Sequence, residues 1–164
     1  MISLYRRLAD CLVGRIPEAF LLLFVRVAFG GIFWRSGETK IAEGTHFTIS
    51  DGAYSLFEND YSGVPFLPPH VAAVMATTAE HLFPALLLIG LGTRVSALAL
   101  LGMTLVIQFF VYPDAWWPVH SLWVALALVL IVRGGGLFSV DALLARRAAK
   151  SATVPLVWPT ATAA

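Results

Sequence analysis

Two apolar runs of membrane length, EAFLLLFVRVAFGGIFW and VAAVMATTAEHLFPALLLIGLG, each carry an ionisable residue, Arg26 in the first and Glu80 in the second. A charge inside hydrocarbon is expensive unless paired or hydrated, so opposite charges at similar depth are expected to meet in a bundle interior. At ~1.5 Å per residue, Arg26 lies ~13 Å from Pro17 and Glu80 ~15 Å from His70, which places both near the middle of a hydrocarbon core ~30 Å thick. The sequence therefore predicts a structural ion pair between Arg26 and Glu80. Such a pair can do no more than fix the register of two helices. Alternatively, Glu80 exchanges a proton or accepts a hydrogen bond from a ligand hydroxyl. Residue types and spacing leave both open.

Other polar residues fall on faces that the helical period turns toward the same interior. At 100° per residue Arg26, Gly30, Phe33, Gly37 and Lys40 share one stripe, and the two glycines admit a close neighbour. Gln108 and Tyr112 lie on a third apolar segment, and His120 with Trp123 on a fourth. Folded together, these faces predict a polar funnel lined by Lys40, Gln108, Tyr112, His120 and Trp123, with Arg26 and Glu80 at its floor. An apolar slot, a few hydrogen-bond partners and a rim of Trp116 and Trp117 would suit the ring of a quinone-like lipid. His81 is expected to make an interhelical hydrogen bond. The four histidines form no ligand-spaced motif, so no metal site is expected. The lone Cys11 rules out an intrachain disulfide or dithiol pair.

Positioning these residues needs membrane-spanning helices. With 59% hydrophobic and 13% charged residues and a mean hydropathy of +0.80, the 164-residue chain is too apolar to hide its side chains in one soluble core. Four segments, 18–38, 71–92, 94–112 and 118–138, are long enough to span, and only helices satisfy the backbone there. The predicted fold class is an all-α membrane protein, a four-transmembrane-helix up-down bundle over residues 17–138 with an outer loop at 43–70. An N-terminal interfacial helix is predicted over 1–16, where Leu4, Leu8, Leu12 and Ile16 recur at near-helical spacing. A short C-terminal cytoplasmic helix over 139–150 starts at an N-cap Ser139, and a disordered tail follows over 151–164. Basic residues flank one end of the spans (Arg6, Arg7, Arg15, Arg94, Arg133, Arg146, Arg147), whereas the 43–70 loop is acidic. The positive-inside rule then predicts cytoplasmic termini on an uncleaved chain. A net charge of +1 with no basic tract gives no reason to expect nucleic-acid binding.

The run from LPPHVAAVMATTAEHLF through IVRGGGLFSVDALLARR, together with RVAFGGIFWRSGETKIA, resembles the DoxX family of small bacterial inner-membrane proteins. The likeness extends from Arg26 to Arg147. It rests on the mid-span Glu80, the Gly-Leu-Gly-Thr-Arg turn ending at Arg94, Gln108, the Tyr112-Pro113 pair, His120, and Ser139 to Asp141 after a glycine-rich break. This family is similar to a membrane subunit of an archaeal thiosulfate:quinone oxidoreductase, and relatives are linked to thiol-oxidative defence and metal stress. The resemblance implies an inner-membrane accessory or anchor subunit of a redox system that binds a quinone. Unlike four-helix reductases of the vitamin K epoxide reductase type, this chain has no cysteine pair. Electrons would therefore come from a redox partner protein or a bound group. A non-catalytic scaffold or assembly factor is the alternative, a small-solute transporter a more distant one, and a homo-oligomer stays open.

Overall fold

A computed structural model describes residues 14–152. Most of the interfacial helix predicted over 1–16 and of the disordered tail predicted over 151–164 lies outside that range; of the rest, Arg15 and Ile16 begin the first membrane helix, and Ser151 and Ala152 end the last helix. The described chain forms α1 (Arg15–Glu38), α2 (Asp51–Asn59), α3 (Pro69–Ile89), α4 (Thr93–Phe110), α5 (Ser121–Arg133) and α6 (Val140–Ala152). No strand forms among the described residues beyond a single antiparallel bridge between Ile41 and Ile49.

Four segments are long and apolar enough to cross a membrane: Ile16–Glu38, Pro69–Ile89, Thr93–Phe110 and Pro113–Arg133. The last is shifted by one to two turns toward the N-terminus from the predicted 118–138. Pro113 opens a 3-10 turn to Ala115, and a wide π turn over Trp116–His120 carries the chain into α5. Pro118 is absorbed there, where its missing N–H costs little. At the other end Gly134, with φ +75°, takes a left-handed conformation that stops α5 five residues earlier than expected.

Helix α1 packs on α3 and α5, and α4 packs on the same two, closing a ring of four antiparallel neighbours. Its core is Phe29 and Phe33 of α1, Leu87 of α3, Leu100 of α4, and Ala127 and Leu130 of α5. The outward faces carry Phe20, Phe24, Leu88, Val95, Phe109 and Val132, all exposed. So large an apolar belt has no place in water. The molecule is an all-α membrane bundle.

Register is set by two glycines. A methyl built on Gly30 would touch the Pro84 carbonyl and Leu87, and one on Gly37 would fall 2.6 Å from the His81 ring and 3.2 Å from the Glu80 Cβ. Glycine at these positions lets α1 and α3 approach closely, and Pro84 supplies no N–H to the Glu80 carbonyl a turn earlier. Level with Glu80, α1 is thus nearly at its end. The acidic-end half of α3 is covered instead by α2, whose Phe57 and Ala53 are buried with Ala72 and Ala73 in that region.

At the basic end the chain closes back on itself. Asp141 donates its N–H to the Gly90 carbonyl at 2.9 Å, and its carboxylate accepts the Gly92 and Thr93 N–H groups at 2.7 and 2.9 Å. Gly92 at the start of α4 has no side chain to cap the helix, so Asp141 of α6 serves from a distance. Burial alone would raise its carboxyl. The Thr93 and Gly92 bonds and the Arg26 guanidinium outweigh that and hold it below the ordinary carboxylate range.

Candidate functional site

Lys40 lies two residues beyond α1, where the chain has tightened through a bond from its N–H to the Gly37 carbonyl. Its side chain turns back along the helix end. The ammonium donates to the Ser36 carbonyl at 3.2 Å, to the Ser36 hydroxyl at 3.1 Å and to Glu80 Oε2 at 2.8 Å. Those three acceptors match its three protons, and a cation at a helix C-terminus meets the negative end of the backbone dipole. Ser36 in turn donates to Glu80 Oε1 at 3.1 Å. Lys40, Ser36 and Glu80 thus form a closed triad, with Lys40 and Glu80 only 6% and 3% exposed. A buried ion pair is tolerable only when most of its hydrogen-bonding capacity is met; here the three Lys40 protons all have acceptors, and Glu80 holds two donors with acceptor capacity to spare.

The predicted Arg26–Glu80 ion pair is not formed, which corrects the sequence reading. Arg26 is fully buried at the basic end, where it donates Nη2–H to the Phe138 carbonyl at 2.6 Å and crowds Gly90. The Arg26 level on α3 is Gly90 and that of Glu80 on α1 is Gly37, so about ten residues, or ~15 Å of helix, separate the charges. The sequence counted each residue from its own membrane entry and assumed helices of equal reach. Lys40, by contrast, sits one turn past Ser36 on the stripe that faces α3.

The funnel is not assembled either. Gln108 accepts from His120 Nδ1 at 2.7 Å and donates to the Pro113 carbonyl at 2.6 Å, bracing α4 against the π turn. Trp123 packs edge-on against Phe33 and beside His120. Tyr112 leaves the bundle and donates to Asp60 at 3.1 Å. Its phenol is raised by burial, by that bond and by the Asp60 charge. Among the predicted site residues, the structure joins Lys40 with Glu80 and Gln108 with His120, and leaves Arg26 and Tyr112 apart from both pairs. His81 gives Nδ1–H to the Thr77 carbonyl at 2.7 Å in its own helix, while its Nε2 faces Glu38 of α1 at 3.5 Å.

A cavity of about 380 Å³ opens beside the triad. Its walls are Met75, Ala76 and Ala79 of α3, and Met103, Val106 and Ile107 of α4; Phe57 and Tyr61 form part of its roof. Among the described residues Glu80 is its one charged wall residue. Met75 and Val106 are also exposed on the α3–α4 flank, so the opening faces sideways into hydrocarbon. Tyr61 stacks on Phe57, and burial, with help from Tyr112, Glu80 and Asp60, pushes its phenol up to about 12. It stays protonated as a donor. The sequence signals for this site were present but faint: Ser36 and Lys40 at i, i+4, and small residues Ala72, Ala76 and Ala79 leaving room on α3.

A family model described as DoxX matches residues 21–113, more than half of the chain. The chain belongs to the DoxX family. No curated protein and no solved structure matches it. The DoxX match takes in Ser36, Lys40, Glu80, Gln108 and both main walls of the cavity. It ends at Pro113, before His120, Trp123 and the α6 segment. No cluster of metal-binding side chains occurs among the described residues.

Proposed function

We propose that this DoxX-family membrane protein binds a quinone-like lipid in the cavity between α3 and α4, as the membrane-embedded accessory of a redox partner protein. The observation that carries the reading is a single buried carboxylate, Glu80, on an otherwise apolar wall that opens toward lipid. The volume lies within the range of small-ligand pockets, about 300–1,000 Å³. An ionised carboxylate only accepts hydrogen bonds, so Glu80 favours a ligand hydroxyl, that of the reduced quinol form. Lys40 and Ser36 hold that carboxylate in place without occupying the cavity face. Oxidation of a quinol to a quinone breaks two O–H bonds and releases two electrons and two protons; the partner protein takes both electrons, the hydroxyl held by Glu80 gives its proton to that carboxylate, and the other hydroxyl gives its proton to bulk water. We further infer residence in a bacterial inner membrane, with the basic end cytoplasmic and the acidic 39–68 connection outside.

Short-chain quinol and quinone analogues titrated into protein in lipid nanodiscs test this, read by native mass spectrometry. Quinol binding should be the tighter, should fall about tenfold or more in Glu80→Gln, and should vanish in Ala76→Phe, which fills the cavity. His120→Ala should bind as wild type, because His120 faces Gln108. The closed Lys40–Ser36–Glu80 triad also favours a scaffold whose charges only lock the bundle. Absence of binding in the wild type, or equal binding in Ala76→Phe, would favour that reading.

A further inference from the structure

At the opposite, basic end lies a second cavity, of about 520 Å³, bounded by the start of α4, the Gly134–Gly136 strand of backbone and α6. Its charged walls are Arg94, Arg133 and Asp141. Two of these charges are already committed. Both oxygens of Asp141 hold the first N–H groups of α4, and Arg133 is paired with Glu18. Arg94 is not: it donates one Nη2–H to the Val132 carbonyl at 3.2 Å and meets no carboxylate among the described residues. Its guanidinium lies alongside Gly134, where the missing side chain leaves the way open. Arg94 is itself exposed, and its free donor edge matches the fork of a phosphate oxygen pair.

Depth selects the ligand further. Thr93 begins the third span and Arg133 ends the fourth, so the cavity sits at the level of lipid headgroups. Val95, on its wall, and Val132 are both more than two-thirds exposed and face the acyl region. Arg146 and Arg147, exposed on α6, add positive field, and among the described residues no uncommitted carboxylate lines the cavity to greet an amine. We propose that this basic-end cavity is a phosphate site centred on Arg94, filled by the headgroup of an anionic phospholipid whose tails run along Val95 and Val132. Basic recesses between membrane helices are suited to such headgroups.

The full-length protein, delipidated in neutral detergent, is titrated with phosphatidylglycerol, with phosphatidylcholine of the same chains, and with inorganic phosphate, read by native mass spectrometry and thermal unfolding. Phosphatidylglycerol should bind saturably and raise the unfolding temperature, phosphatidylcholine should bind at least about tenfold more weakly, and R94Q should lose the preference. R94K keeps the charge but not the fork and should fall between them, which covers a folding defect in R94Q. R146Q, outside the cavity wall, should weaken binding of both anions slightly but keep the preference for phosphatidylglycerol over phosphatidylcholine. Equal saturation by inorganic phosphate would keep the phosphate site and remove the lipid. Equal losses in R94Q and R146Q would mean diffuse attraction and would overturn the site, as would binding that ignores R94Q and R94K.

Discussion

Arg26 on α1 and Lys40 just beyond its end are both buried cations, yet their removal should differ. Lys40→Met strands the Glu80 carboxylate in a low-dielectric interior and should destabilise by about 3–5 kcal/mol, whereas the double variant with Glu80→Leu should recover much of that loss. Arg26→Met leaves no carboxylate without partners, because Asp141 keeps two backbone donors, and should cost less than Lys40→Met. Equilibrium unfolding of these three variants and of Glu80→Leu alone in mixed micelles checks both statements; independent, additive effects of Lys40 and Glu80 would rule out the pair. At this scale the sequence turned Arg26, Lys40, Glu80, Gln108 and His120 toward the interior, where all are at most 6% exposed, but it also put Tyr112 there, and Tyr112 is 46% exposed. Nor did the sequence show which would meet. Pairing depends on the axial offset of two helices, and that offset is written in Gly30, Gly37 and the left-handed turn at Gly90 rather than in the charges.

Element by element, the close α1–α3 contact should be the most sensitive to bulk. Gly37→Ala would push a methyl into the His81 ring and Glu80, so overpacking of about 1–3 kcal/mol should outweigh the gain in helix propensity. Gly31→Ala faces open space and should be neutral or stabilising by up to ~1 kcal/mol. Thermal unfolding of the two variants separates packing from propensity. The docking of α6 has its own signature. Asp141 sits below its ordinary value when folded, so its contribution is present above the unfolded pKa of ~3.9 and disappears as pH falls through the folded one. The stability gap between wild type and Asp141→Ala should therefore be flat above pH ~5 and close only in stronger acid. The spans themselves were legible from hydropathy, because length and apolarity are local. The fourth was misplaced because Pro118 reads as a start signal, and nothing local reveals that a π turn can carry a proline.

For the molecule as a whole, charge asymmetry predicts orientation. In a Cys11→Ser background, Ser62→Cys should react with an impermeant maleimide on intact cells, while native Cys11 in the wild type should react only after the membrane is opened. The reverse pattern would invert the protein. The helices also differ in reach: α1 has 24 residues and α4 only 18, or ~36 Å against ~27 Å at 1.5 Å per residue. A bilayer cannot match both, and α4, with Val95, Leu98 and Phe109 turned outward, bears the mismatch directly. Acyl chains beside it must compress, so the protein acts as a local thickness gauge. It should be most stable in nanodiscs of shorter-chain lipids and lose stability steadily as the chains lengthen.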